Sequence, residues 1–574
     1  MILSIFVVTF ICVTLILVQD GAGNNIPFNP EVSTPLGRIK GSFMTSRLNK
    51  KIYAFRGIRY AEPPTGDLRF KVAIPVKPWS GAFDASKEGT SCSSAINEDC
   101  LRLNVYTTKV RTKKLNSTNQ LKTKRPVIIF IHSGGFYTCS AQSRLFGPQY
   151  LLDHDVVLVT INFRLGPFGF LSTGDSVFPG NIGLKDQVAT FRWVRDNIAA
   201  FGGDPNSVTL MGYNAGSRSI SLHLVSPMSR GLFHRAICMS GSLTNQKPLS
   251  HHEIGYAKKL ARLLNCPDDT SEKMVECLRT IPPDAITYTF SHFLDWHLEP
   301  ESVWLPVVEP NIPGLERFLT DQPANLIRKG MIQQVPILAG LTRDEFSGIT
   351  MIEVLRAKLG DYSMFQELNE NWDYIAPISF EYERNTSRSK MISQKLRDYY
   401  FKGEPISLKN VKAHGRGYAD SISGFPMYRF VRLVAAFSKQ PVYYYRFVYE
   451  GKYGLIQWVN TGKPYGVSHL DDLQYILYMT GVHYYGPGDR ESPVVDMMTA
   501  MWANFAKTGQ PIPKNDKAFE GVTWEPFTPE NNRYMEIDST LTMKTGFNLE
   551  AMHLYESLFP LDPLPRSNTT TPDD

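Results

Sequence analysis

The 574-residue chain has little cysteine (7), tryptophan (8) or histidine (12), and no block of like charge dominates it. Its 61 basic and 55 acidic side chains leave a formal net charge of only +6. With no compact basic–aromatic stripe either, the sequence gives no case for a nucleic-acid partner. Beyond residue 18 no stretch reaches the ~18 uninterrupted apolar residues of a membrane helix, so no span is expected after the N-terminal segment is removed. There is no internal repeat. What remains, 43% apolar and 20% charged, is ordinary globular composition.

The one long apolar run stands at the start. Residues 2–18 are apolar apart from Ser4, Thr9 and Thr14, and the small and polar "QDGAGNN" follows. This predicts a secretory signal over residues 1–22, cut near Gly21 to Gly23, and an extracellular protein. Residues 27–560 read as the folded domain and 561–574 as a polar tail. Sequons at Asn116, Asn385 and Asn568 fit a secreted glycoprotein. Six cysteines follow Cys12. Cys92 with Cys100, and Cys266 with Cys277, would close short loops, each bridge worth roughly 2–3 kcal/mol in the chain-entropy model. Cys139 and Cys238 read as buried thiols, with a bond between them left open.

From about residue 100, buried strands alternate with amphipathic helices. "RPVIIFIH" (125–132) and "DVVLVTINF" (155–163) are continuously apolar, as expected of strands covered on both faces of a parallel sheet. Val188, Phe191, Val194 and Ile198 recur at helical spacing, with Gly202 as the stop. "SPVVDMMTAMWANFAKTG" (492–509) reads as a helix capped by Ser492, with Pro493 in its first turn and Gly509 past its end. The fold class is therefore α/β, an open and mostly parallel sheet with helices on both faces.

Between the strand-like "SVTL" (207–210) and a following helix lies Gly212-Tyr213-Asn214-Ala215-Gly216. A strand, a glycine-framed turn and a helix is the setting of the nucleophile elbow G-x-S-x-G. Here the central residue is asparagine.

The stretches "FRGIRYAEPPTGDLRF", "NEDCLRLNVYT", "INFRLGPFGFLST", "NIGLKDQ", "FGGDPNSVTLMGYNAG" and "MWANFAKTGQP" occur in one order. In them the chain resembles the type-B carboxylesterase/cholinesterase family over nearly its whole mature length. The resemblance implies the α/β-hydrolase fold and a triad with Asn214 at the nucleophile position. Glu345 in "GLTRDEFSG" matches the acid and His469 in "YGVSHLDDL" the histidine. Gly134 and Gly135 of "HSGGF", with Ala215, match the oxyanion-hole amides, and Ser240 the serine that supports the triad from behind. The two close cysteine pairs match the family's first two disulfides. Arg69 with Glu98, and Arg164 with Asp186, match its structural ion pairs. No cofactor or metal is implied.

An asparagine cannot do serine's work. Its amide nitrogen has a delocalised lone pair, and its oxygen has no proton for histidine to take as it attacks. Loss of the serine costs roughly 10⁶ in kcat in a hydrolase of the same logic. Ser217 and Ser219 lie beyond the turn and read as packing residues. Tyr213 departs from the family's usual glutamate. The expectation is a secreted, catalytically inactive member resembling the adhesion-type (glutactin-like) branch, recognising an extracellular protein or acidic matrix component. The alternatives are an active serine carboxylesterase for small or lipophilic esters, and a carrier holding a hydrophobic ligand in the remnant gorge. A basic insertion with Lys109, Arg111, Lys113, Lys114, Lys122, Lys124 and Arg125 reads as a solvated loop or, more sharply, as the acidic-partner patch. Only seven residues separate Cys92 from Cys100, too few for the choline-binding aromatic platform of cholinesterases. Trp304 reads equally as acyl-pocket wall or as core.

Overall fold

The computed structural model describes residues 29–93, 97–110, 124–457 and 462–563. The expected signal, the sequons at Asn116 and Asn568, residues 111–123 of the basic insertion and all but the start of the tail lie outside them. The strands are β1 (Glu31–Thr34), β2 (Gly37–Lys40), β3 (Ser42–Thr45), β4 (Lys51–Arg59), β5 (Ala82–Asp84), β6 (Arg102–Thr107) and β7 (Arg125–Ile131). They continue with β8 (Val157–Ile161), β9 (Gly203–Tyr213), β10 (Arg235–Met239), β11 (Ile337–Thr342), β12 (Val442–Phe447), β13 (Arg533–Ile537) and β14 (Leu541–Thr545).

Eleven of these form one sheet in the order β14-β13-β12-β11-β10-β9-β7-β8-β6-β4-β3, and β1-β2-β5 form a small second sheet. Neighbours from β8 across to β13 run parallel, while the two margins are antiparallel. The continuous apolar runs follow from this layering. Along β7, Val127, Ile129 and Ile131 join the core on one face, and Ile128 and Phe130 the core on the other. Neither face meets water, so the usual polar alternation is absent. A third core lies among helices from Met351 to Tyr428 and the helix Leu549–Leu558. This is the α/β-hydrolase architecture the resemblance implies.

The expected helix runs Ile182–Asn197 and tightens into a 3₁₀ turn, stopped by Gly202 at φ 80°. The late helix spans Ser492–Thr508, with Gly509 at φ 80° beyond it. One expectation needs correcting. Ser492 is already inside that helix and caps nothing, because its hydroxyl accepts from Arg47 Nη1 at 2.7 Å. Cys92–Cys100 and Cys266–Cys277 are bridged, while Cys139 and Cys238 are buried and take no part in these bridges.

In an open parallel sheet, functional groups collect outside the carboxyl ends of the strands. Here β7 ends at the glycine loop, β9 at the elbow, β10 at Ser240 and β11 just before Glu345. The register pairs Ile131 with Gly212 and Met239 with Tyr213, so these ends lie level.

Candidate active site

Two glycines make the elbow possible. A Cβ on Gly212 would lie 2.4 Å from the Gly216 carbonyl carbon, and one on Gly216 would lie 2.0 Å from the Ile131 carbonyl oxygen. The helix Ala215–His223 can therefore start hard against the strand ends. Asn214 occupies the turn at φ 51°, ψ −113°, outside the regions L-residues favour. Such strain is typical of functional turns, and here it aims the side chain at the cleft.

The Asn214 side chain reaches the expected oxyanion hole. Its Oδ1 accepts from the Ala215 N–H at 2.6 Å and from the Gly135 N–H at 3.1 Å. Both partners are donors, so the oxygen end of the amide must face them. Gly134 lines the same cleft, and its carbonyl accepts from the amides of Tyr137 and Thr138. Two of the three amides expected to hold an oxyanion, those of Gly135 and Ala215, are thus already engaged by the residue standing at the expected nucleophile position.

The acid and the histidine are assembled. Glu345 Oε2 meets His469 Nδ1 at 2.5 Å. Its Oε1 accepts from the Ser240 hydroxyl at 2.5 Å and the Thr342 N–H at 2.8 Å, so Ser240 falls where the resemblance put it. The imidazole stacks on Phe346 at 4.1 Å and meets Tyr213 edge-on at 4.9 Å. With Nδ1 committed to the carboxylate, Nε2 is left for the cleft that His469 lines. The loop carrying it is tied at several points. Leu470 N–H donates to the Tyr213 hydroxyl at 2.7 Å, Ser468 N–H to Asp471 at 2.7 Å and Val467 N–H to Asp344 at 2.9 Å. Tyr213, read in sequence only as a departure, is therefore a strut. Its hydroxyl joins the histidine loop to Ser240, 2.9 Å away.

Other sequence candidates sort plainly. The Ser217 hydroxyl donates to Gly241 O and that of Ser219 to Ala215 O, and both serines are buried, as packing residues should be. Trp304 is core: it packs on Phe293 and Tyr256 and lies outside the cleft wall. Asn385 is exposed in a left-handed turn and so accessible to glycosylation. Arg125 does not belong to a free basic patch. It is buried in β7, where its guanidinium donates to Lys109 O and Phe201 O, because a strand residue at that register points inward.

The cleft has a volume of about 90 Å³, with Phe346, Ile349, Ile456 and Leu470 as its apolar wall. Sequence reasoning missed its charged member, Glu301. This carboxylate accepts at Oε2 from Arg218 Nη1 (3.2 Å) and from the Ser302 hydroxyl, and it is nearly buried. Nothing in "LEPESVW" marked it, since its partner lies 83 residues away in the chain.

Two aspartates pack behind the triad. Burial, with Glu345 close by, pushes Asp471 up to about 7 and Asp472 up to about 6. A carboxyl whose folded pKa is raised adds stability that is complete below its unfolded value of 3.8 and is lost as pH rises through the folded one. Asp472 Oδ2 accepts from Tyr445, while Oδ1 is buried without a partner. Asp472→Asn should therefore remove that residue's share of the decline, between pH 4 and 6, and leave the share of Asp471. The variant gains roughly 1–3 kcal/mol over the parent above pH 7, at about 1.4 kcal/mol per pK unit. Urea midpoints at pH 4 and pH 8 check this; equal declines in parent and variant would refute it.

With the geometry described, comparison with known proteins places the chain. The carboxylesterase family matches residues 29–555. The chain is 38% identical over 514 residues to esterase FE4 of Myzus persicae, covering 87% of each protein. It is 33% identical to a juvenile hormone esterase of Tribolium castaneum, covering 93% of each. The crystal structure of juvenile hormone esterase from Manduca sexta, with OTFP covalently attached, superposes with a TM-score of 0.81 at 26% identity. That match covers 92% of this chain and 99% of the other. A family match over most of its length, this extent of identity and a shared fold make the chain a member of the carboxylesterase family.

Proposed function

We propose that this chain is a binding member of the carboxylesterase family, which receives a small ligand in the family's cleft and does not form an acyl-enzyme. One observation carries the reading. The Asn214 amide has no hydroxyl to deliver, and its oxygen takes two of the three backbone donors that the resemblance assigns to an oxyanion, those of Gly135 and Ala215. Removing one such donor alone costs a hydrolase roughly 10²–10³ in kcat. Losing the nucleophile costs far more.

A second reading has its own support. The relatives compared are described as esterases, and the His469–Glu345 pair is fully formed. An active carboxylesterase would then need the Asn214 amide to swing out of the hole and His469 to activate a water directly. The adhesion-type part of the sequence expectation draws no support from these relatives. Extracellular placement is supported by two disulfides, which persist in oxidising compartments. Among the described residues, no helix is long and apolar enough to cross a membrane.

Ester turnover by the intact chain decides between the readings, with fluorophosphonate labelling beside it. The binding reading expects neither turnover nor an adduct after prolonged exposure. Ester turnover at enzymic speed that is lost in His469→Gln, with an adduct in the cleft or without one where water attacks directly, would establish the esterase instead.

A further inference from the structure

We infer that the cleft is selective for a small organic cation, an alkylammonium held by Glu301, rather than for a wholly apolar ester. The inference rests on the cleft being a binding site and names its ligand class. Glu301 Oε1 lies 3.2 Å from where a Cβ on Gly135 would stand, beside the oxyanion loop. Its other oxygen, Oε2, is occupied by Arg218 and Ser302, which orients the carboxylate and leaves Oε1 to the cleft.

A second observation points the same way. At Glu301 and Ile349 the cleft adjoins another cavity of about 40 Å³, walled also by Glu299, Glu353, Ser379 and Tyr418. Among the described residues, the walls of the two cavities hold three glutamates and neither lysine nor arginine. Glu299 accepts from the Tyr418 hydroxyl at Oε1, while its Oε2 is buried without a hydrogen-bond partner. A buried acceptor left unmet is costly, and a donor from a ligand relieves that cost. Glu353 is balanced by His414 at 3.1 Å. Glu301 Oε1 at the mouth thus awaits a donor, and behind it lies the Glu299 carboxyl, which burial pushes up to about 7. A charge-assisted hydrogen bond there is about twice as strong as a neutral one.

Calorimetric titration of the intact chain with n-butylammonium and with 1-butanol, its neutral analogue, tests this. The ammonium should bind with one-to-one stoichiometry and at least tenfold more tightly. Glu301→Gln should abolish the preference while leaving butanol affinity within about twofold. Equal affinities in the parent chain, or a preference that survives Glu301→Gln, would overturn the inference. Should that variant unfold through loss of its Arg218 pair, the parent comparison decides alone. Failure here is distinct from failure of the binding reading. A chain that turns over esters yet prefers the ammonium refutes only the latter; one that neither turns over esters nor discriminates refutes only the former.

Discussion

Asn214→Ser should let a fluorophosphonate label the chain fully and should raise its aryl acetate turnover by roughly 10⁵–10⁶, the size expected where the parent is inactive. The size of the effect follows from two changes made by one substitution. A hydroxyl appears on the strained turn, where His469 Nε2 can take its proton while Glu345 holds the ring by Nδ1. At the same time the amide leaves the hole, freeing the Gly135 and Ala215 N–H groups that it had engaged at 3.1 and 2.6 Å. Glu301 should hold this variant below its full rate, because a carboxylate beside Gly135 opposes the oxyanion forming there. Adding Glu301→Gln should therefore raise the acylation rate further. A folded Asn214→Ser chain that stays unlabelled would mean the histidine is misaligned, and the reading of an otherwise intact site would fail.

Asp186→Asn lowers unfolding stability by about 3–5 kcal/mol, a large share of the ~5–15 kcal/mol available to a typical domain. Asp186 is fully buried. Its Oδ2 accepts from Arg164 Nε at 2.7 Å and from the Arg164 N–H at 3.1 Å, and its Oδ1 from Nη2 at 2.6 Å. Neutralising it strands a buried guanidinium with nothing to balance it. Urea denaturation measures the loss. Labelling in the Asn214→Ser background separates structure from chemistry: the rate per folded molecule should not change. A slowed rate at full stability would assign the pair a part in the reaction, contrary to both resemblance and geometry.

Much of the scaffold was legible before any coordinates. Strands buried on both faces announce themselves as unbroken apolar runs, so β7 and β8 were plain. The expectations for Glu345, His469, Ser240 and the two ion pairs came from the family resemblance, and the structure brings Ser240, Glu345 and His469 into one hydrogen-bonded row. Ser492 misled, since a serine before Pro493 suits a cap equally well until Arg47 arrives from 445 residues away to take its hydroxyl. Arg125 misled for a similar reason. Adjacent lysines make a charge run in sequence, whereas a strand turns alternate side chains inward.

Read alone, the chain determined that asparagine stands where an attacking oxygen is required, because that is a matter of residue chemistry at a position set by flanking glycines. It also determined that the strands at 125–132 and 155–163 are covered on both faces, since an unbroken apolar run leaves neither face for water. Where the asparagine's own oxygen goes was decided only by tertiary structure, which brought β7 and β9 level and set two amides around it. Tertiary structure also joined Glu301 to Arg218 and to the cleft. No local pattern encodes such a meeting: hydrogen-bond geometry depends on distances in space, and residues far apart in the chain acquire those only when the sheet closes its register.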